Sequence, residues 1–227
     1  MCGRFAFYSP AEAVTRIFGV ENPPDIEPRF NIAPTQFVAV VRADEHGERT
    51  ISMLRWGLVP FWAKDKSIGN RMINARAETL TEKPAYKDPF RKRRCIVPAN
   101  GFYEWKKQGS VKQPYFIGLG GDEPFGMAGL WARWRDKEND DERLETFTIV
   151  TTTPNETVAP IHNRMPVVLS PEHFDKWLAP DNDDINSLQQ ILVSSVATDR
   201  FTIWPVSRKV NNTRNDDPGL VVADSLI

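Results

Sequence analysis

Cysteine is almost absent. The 227 residues hold two, Cys2 and Cys95, beside three histidines. Two cysteines exclude a disulfide framework and a thiolate zinc site, and they fit a reducing compartment in which Cys2 stays a free thiol. Long apolar runs are missing too. None approaches the ~18–20 residues that a membrane span needs. Arg4 and Glu12 interrupt the first segment, so it lacks the apolar stretch of a secretory signal. Nor is one charge in excess. Lys and Arg number 29 against 30 Asp and Glu, a formal net charge of -1, which is not the balance of a general nucleic-acid binder. The sequence has no internal repeat, low-complexity tract or clear linker.

What is present suits an ordinary globular chain: 41% hydrophobic and 26% charged residues, enough apolar mass for a core. The charges are clustered. Arg91-Lys92-Arg93-Arg94 and Lys106-Lys107 are basic, while acid gathers at Asp136–Glu145 and Asp181–Asp184. A polarised surface binds phosphates while the total stays near zero, although a charge run alone is as readily a solvated face.

Turn residues and apolar alternation divide the chain. Gly3–Tyr8 reads as a strand. Ser9 as cap, Pro10 at the first helical position and Glu12 predict a helix to Phe18, stopped by Gly19. Asn22–Pro34 is proline-rich and extended. Gln36–Ala43 and Arg49–Trp56 read as strands joined at Asp44–Gly47, and Lys64–Asn70 as a polar loop. Cys95 falls in an apolar strand, Asn100-Gly101 in a turn. Phe102–Trp105 leads through a Gly109-Ser110 turn into Pro114–Leu119. Phe125–Trp134 and Glu145–Thr152 are strands around an acidic loop. Asn155 caps a short helix to Ala159. Phe174–Leu178 and Ile185–Val193 read as helices, Phe201–Val206 as a last strand and Ser207–Asn215 as a polar loop. The expectation is one α+β domain over residues 1–227, dominated by short antiparallel strands, with a loose tail from about 216.

The chain opens Met1-Cys2-Gly3-Arg4-Phe5. Removal of Met1 would leave a thiol and a primary amine on adjacent carbons. The amine titrates near pH ~8 and the thiol near ~8.5, so modest shifts make either nucleophilic. Together they suit an aldehyde: the amine forms an imine, and the thiol closes a thiazolidine on the same carbon. Glu104 stands among Phe102, Tyr103 and Trp105, surroundings that raise a carboxyl pKa and make a general acid. Asn74 and Arg76 share one face of an extended segment, as do His162 and Arg164. His46 sits in a polar turn and His173 at a helix start, which leaves His162 placed as a site residue. Phe61 and Trp62 lie in a turn-rich segment, where an exposed ring stacks on a base or packs in the core.

Seven stretches, in order, carry a resemblance: Cys2-Gly3-Arg4-Phe5, Asn31-Ile32-Ala33-Pro34, Trp56-Gly57-Leu58-Val59-Pro60, Asn74-Ala75-Arg76-Ala77-Glu78, Gly101-Phe102-Tyr103-Glu104-Trp105, Ile161-His162-Asn163-Arg164-Met165-Pro166 and Pro205-Val206-Ser207. With them the chain resembles the SRAP (SOS response-associated peptidase) family of abasic-site cross-linking proteins. The resemblance implies a single mixed α/β domain around a β-barrel-like core with flanking helices. It implies binding of single-stranded DNA and of single-strand/double-strand junctions, with covalent capture of an abasic site by Cys2 after Met1 is removed. Asn74, Glu104 and His162 would surround the cross-link. Arg4, Arg76 and Arg164 would hold phosphates, and Asn31, Pro34, Trp62, Trp105 and Ser207 would line the DNA path. No cofactor or metal is implied, the protein would be a monomer, and the setting would be cytoplasmic, or nuclear in a eukaryote.

On that view Glu104 donates to the sugar ring oxygen and promotes opening, His162 shuttles protons, and Asn74 orients the amine or the sugar hydroxyl. The imine also acidifies C2′, so a lyase side reaction competes with thiazolidine closure. Three other classes fit the opening residues: an N-terminal-nucleophile amidohydrolase, a thiol autopeptidase using Cys2 and His162, and a passive single-stranded DNA-binding module. Arg4 is not the usual aliphatic of the first, and no second domain is present to receive ammonia.

Overall fold

In the computed structural model, residues 2–120, 123–136, 139, 142–194 and 200–224 are described. The first half runs β1 (Phe5–Phe7), α1 (Ala11–Phe18), β2 (Arg29–Ile32), β3 (Phe37–Ala43), β4 (Arg49–Trp56), β5 (Asn74–Arg76), α2 (Pro84–Lys92) and β6 (Arg94–Ala99). The second runs β7 (Gly101–Gln108), β8 (Val111–Gly118), β9 (Phe125–Arg135), β10 (Arg143–Thr152), β11 (Met165–Pro166), β12 (Val168–Leu169), α3 (Phe174–Leu178), α4 (Ile185–Val193) and β13 (Thr202–Pro205).

Five strands close on themselves in the order β10-β4-β3-β6-β9 and back to β10. Four seams are antiparallel. The fifth, β4 to β10, is parallel and pairs Arg55 with Thr146 and Trp56 with Phe147. Closure removes the open edges that a five-stranded sheet would otherwise present. β5 lies parallel to β10, while β11 and β12 pair with β10 and β9. A second, antiparallel sheet runs β13-β8-β7-β1-β2. The expected α+β domain with a barrel-like core and flanking helices is the fold observed. No helix among the described residues is long and apolar enough to cross a membrane.

β1 is buried at every position, and its Phe5 packs edge-on against Trp56 at 5.2 Å. Trp56 in turn stacks on Phe147 at 6.2 Å, so one aromatic column ties the second sheet to the barrel seam. Each such ring contributes roughly 2–3 kcal/mol by leaving water. The chain crosses between the sheets at Asn100-Gly101, which is a crossover where a turn was expected. Asn100 replaces the lost ladder: its N–H donates to Ala6 O, its Oδ1 accepts from Tyr8 N and its Nδ2 donates to Ser9 Oγ. A Cβ at Gly101 would lie 2.2 Å from Phe116 Cζ, so only glycine lets the two strands approach.

Several expectations are corrected locally. Pro10, not Ser9, holds the cap position of α1, because Ser9 Oγ is engaged by Asn100. Lys66–Arg71 is a 3-10 helix capped by Asp65, not a plain loop. Asn155 does accept from Val158 N, but 156–161 stays a series of turns. Within the acidic loop, residues 137, 138, 140 and 141 lie outside the described residues. The tail from 216, expected to be loose, is held through 224. Asp216 accepts from Arg29 Nε and from the amides of Phe30 and Asn31, Leu220 is buried, and Val206 bridges Ala223. The expectation failed because these partners lie nearly 190 residues upstream.

Candidate active site

Cys2 has no exposed surface, although it stands only three residues before β1. The pairing of β7 with β1, together with the bond from Tyr103 N to Arg4 O, brings Glu104 to it. The pairing of β5 with β10 brings Asn74, whose Nδ2 donates to Cys2 O at 2.8 Å. The turn before β11 brings His162, with Nε2 3.9 Å from Glu104 Oε2. Four residues from four distant parts of the chain thus converge, the set that the sequence singled out.

Their electrostatics follow from burial. Glu104 is 3% exposed, and desolvation pushes its carboxyl up to about 7. It therefore carries a proton about half the time near neutral pH. The Cys2 thiol is pushed far above its usual range, first by burial and then by the Glu104 charge. This corrects the expectation of a readily formed thiolate: in this pocket the sulfur holds its proton. Burial also lowers His162. The Arg164 amide donates to His162 Nδ1 at 3.0 Å, closer than the Arg164 carbonyl at 3.3 Å. Neutral His162 then carries its hydrogen on Nε2, toward Glu104. Asn74 Oδ1 is buried with no partner among the described residues, an acceptor left over on the side chain that holds Cys2.

The expected DNA-path residues divide into two groups. Trp62, 43% exposed, and Arg76 line an open groove of about 460 Å³ with Asn74, Lys83 and Tyr86. Pro34 and Ser207 are half-buried, and Ser207 caps a 3-10 helix over Arg208–Asn211. The others are committed within the protein. Asn31 is wholly buried: its Nδ2 donates to the carbonyls of Val210, Asn212 and Asn215, and its Oδ1 accepts from Arg4 Nη1. The 208–215 loop folds over it, a long-range contact that sequence could not show. Arg4 also donates to Val210 O and lies 5.9 Å over Trp105, whose Nε1 donates to Asn211.

Arg164 forks onto both oxygens of Glu78, at 2.7 and 2.9 Å, and donates to Thr151 O. Arg76 alone of the three arginines points into solvent. Sequence reasoning missed the part of Glu78, although it ends the quoted Asn74–Glu78 stretch two residues past Arg76. It also missed Tyr86, whose hydroxyl donates to Asn74 O and braces β5.

Residues 1–213 match a family model described as SOS response associated peptidase (SRAP). The abasic site processing protein YoqW of Bacillus subtilis is 41% identical over 225 residues, covering 97% of this chain and 99% of that one. The abasic site processing protein HMCES of Xenopus tropicalis is 32% identical over 230 residues, covering 87% of this chain and 66% of that one. Among solved structures, a protein from Bacteroides thetaiotaomicron superposes with a TM-score of 0.87 at 28% identity, covering 98% of this chain and all of the other.

Proposed function

The chain belongs to the SOS response associated peptidase family, and from that premise we propose that it processes abasic sites by capturing them covalently in single-stranded DNA. Removal of Met1 frees the Cys2 amine beside Glu104. Protonated Glu104 gives its proton to the sugar ring oxygen as the C1′–oxygen ring bond breaks, the C1′ hydroxyl gives its proton to water, and the ring opens to the C1′ aldehyde. The amine adds to C1′, the carbinolamine loses water and an imine remains. The Cys2 sulfur then adds to C1′, its proton passes to the nitrogen, and a thiazolidine closes. The balance is one water lost.

The observation that carries the proposal is the burial of Cys2 against Asn74 and Glu104. A carboxyl near 7 can both give and take a proton at working pH. The Nε2 hydrogen of His162 faces the carboxylate that forms as Glu104 gives its proton up. The vacant Oδ1 of Asn74 suits the amine or a sugar hydroxyl. A thiol held protonated does not attack first, which favours amine-led capture over a thiol autopeptidase or amidohydrolase. Arg76, Trp62 and Lys83 offer phosphate and stacking contacts along the adjoining groove. The imine also permits a lyase side reaction.

Intact mass measurement after incubation of processed protein with an abasic oligonucleotide tests this. The expected product weighs the sum of the two less one water and survives boiling in denaturant. Absence of an adduct, or turnover of glutamine in its place, would overturn it.

A further inference from the structure

Beyond Glu104 the strand that carries it leaves the sheet. β1 pairs with β7 only at Gly101 and Phe102, and β13 pairs with β8 only from Tyr115 onward. Between them, residues 106–112 have no ladder partner but the opposite strand of the hairpin, in the register Lys106 to Gln113, Lys107 to Lys112 and Gln108 to Val111, while Gln113 and Pro114 are buried and bonded to Val206. The result is a two-stranded ribbon that projects from the active-site strand.

Its charge is one-sided. Residues 105–114 hold three lysines and no acid. Lys107 and Lys112 are exposed and directly opposed, an arrangement that costs stability unless an anion lies across it. At the ribbon's base, Trp105 Nε1 holds Asn211 Oδ1 at 2.8 Å, and that 3-10 helix adds exposed Arg208 and Lys209. None of these five cations has an ion-pair partner among the described residues. The β9–β10 hairpin also opposes two cations, Arg135 and Arg143, but it carries Glu145, which neutralises Arg133 and the neighbouring Arg42.

The shape narrows the partner. Paired strands lie ~4.8 Å apart, and a two-stranded ribbon fits the ~12 Å major groove of duplex DNA. At ~3.3 Å per residue, Lys107 stands about 10 Å along the strand from Glu104, past the reach of the captured sugar. Granted the DNA capture proposed above, on which this rests, we infer that the ribbon 106–112 seats against a duplex arm beside the lesion, with Lys107 and Lys112 on its phosphates.

The test compares a Lys107→Ala/Lys112→Ala double variant with the parent protein on undamaged oligonucleotides, one single-stranded and one a single-strand/duplex junction. Loss of two phosphate contacts lowers junction affinity roughly 10-fold and flattens its log–log salt slope by about 2. Single-strand affinity and cross-linking of a short single-stranded abasic oligonucleotide stay as in the parent. Equal loss on both DNAs would place the ribbon on the single strand, and no loss on either would remove it from the interface; both outcomes overturn the inference. A parent protein that binds neither DNA sinks the capture proposal instead, and circular dichroism of the double variant confirms that the hairpin still folds.

Discussion

His162 and Glu104 face each other at 3.9 Å, and each is held from behind. The Arg164 amide fixes the imidazole through Nδ1, and burial on β7 fixes the carboxyl. The separation exceeds a direct hydrogen bond, so in the proposed mechanism a substrate atom or one water carries the proton between a carboxyl near 7 and a ring whose pKa is lowered.

That pairing predicts opposite effects of one substitution on activity and stability. Glu104 titrates from 4.5 unfolded to about 7 folded. The folded state thus binds the proton more tightly, and stability present below pH 4.5 is lost as pH rises through about 7, by about 3 kcal/mol. Glu104→Gln removes this loss. Urea denaturation at pH 8 should find the variant more stable than the parent, while its cross-linking rate falls about 100-fold. The parent's rate should decline above about pH 7, and the variant's residual rate should not share that profile.

Cys2→Ala keeps an N-terminal amine once Met1 is removed but cannot close the thiazolidine. Abasic oligonucleotide incubated with it should pass from stable adduct toward strand cleavage, read on a denaturing gel. Undiminished, boil-resistant cross-linking would reject the scheme.

Asn31 is a keystone of the fold. Asn31→Ala strands three carbonyls and one Arg4 N–H, and should destabilise by roughly 3 kcal/mol. Hydrogen exchange should quicken first across 208–217, the segment that it holds.

Glu78 occupies the fork of Arg164 that a phosphate would need. Glu78→Gln weakens that internal partner. Single-stranded DNA affinity at low salt should rise roughly three-fold, with a steeper salt dependence as Arg164 joins Arg76 in releasing counterions. Fluorescence anisotropy across a salt series reads both.

Much of the secondary structure was legible because local rules set it. β4, α3 and α4 fall where alternation and turn residues placed them. The ring of five strands was not, since its parallel seam joins Trp56 to Phe147, ninety residues apart, by only two register pairs. The same holds for the site. Cys2, Asn74, Glu104 and His162 each lie in a stretch that can be recognised alone. What sequence could not show is where Asn31 and Arg164 are held, because a side chain's partner is decided by tertiary packing. Asn31 meets a loop about 180 residues on, and Arg164 meets a carboxylate 86 residues back. A lone cation in a motif looks the same in sequence whether a phosphate or a glutamate neutralises it.

The shielding of the Cys2 sulfur bears on how long such a protein stays usable in a cell. Peroxide, glutathione disulfide and stray metabolite aldehydes spend exposed, ionised thiols fastest. A sulfur with no surface and its proton retained is a poor target for all of them. On the proposed mechanism the reagent is consumed once per lesion, so keeping it unspoiled between lesions matters as much as its reactivity when one arrives.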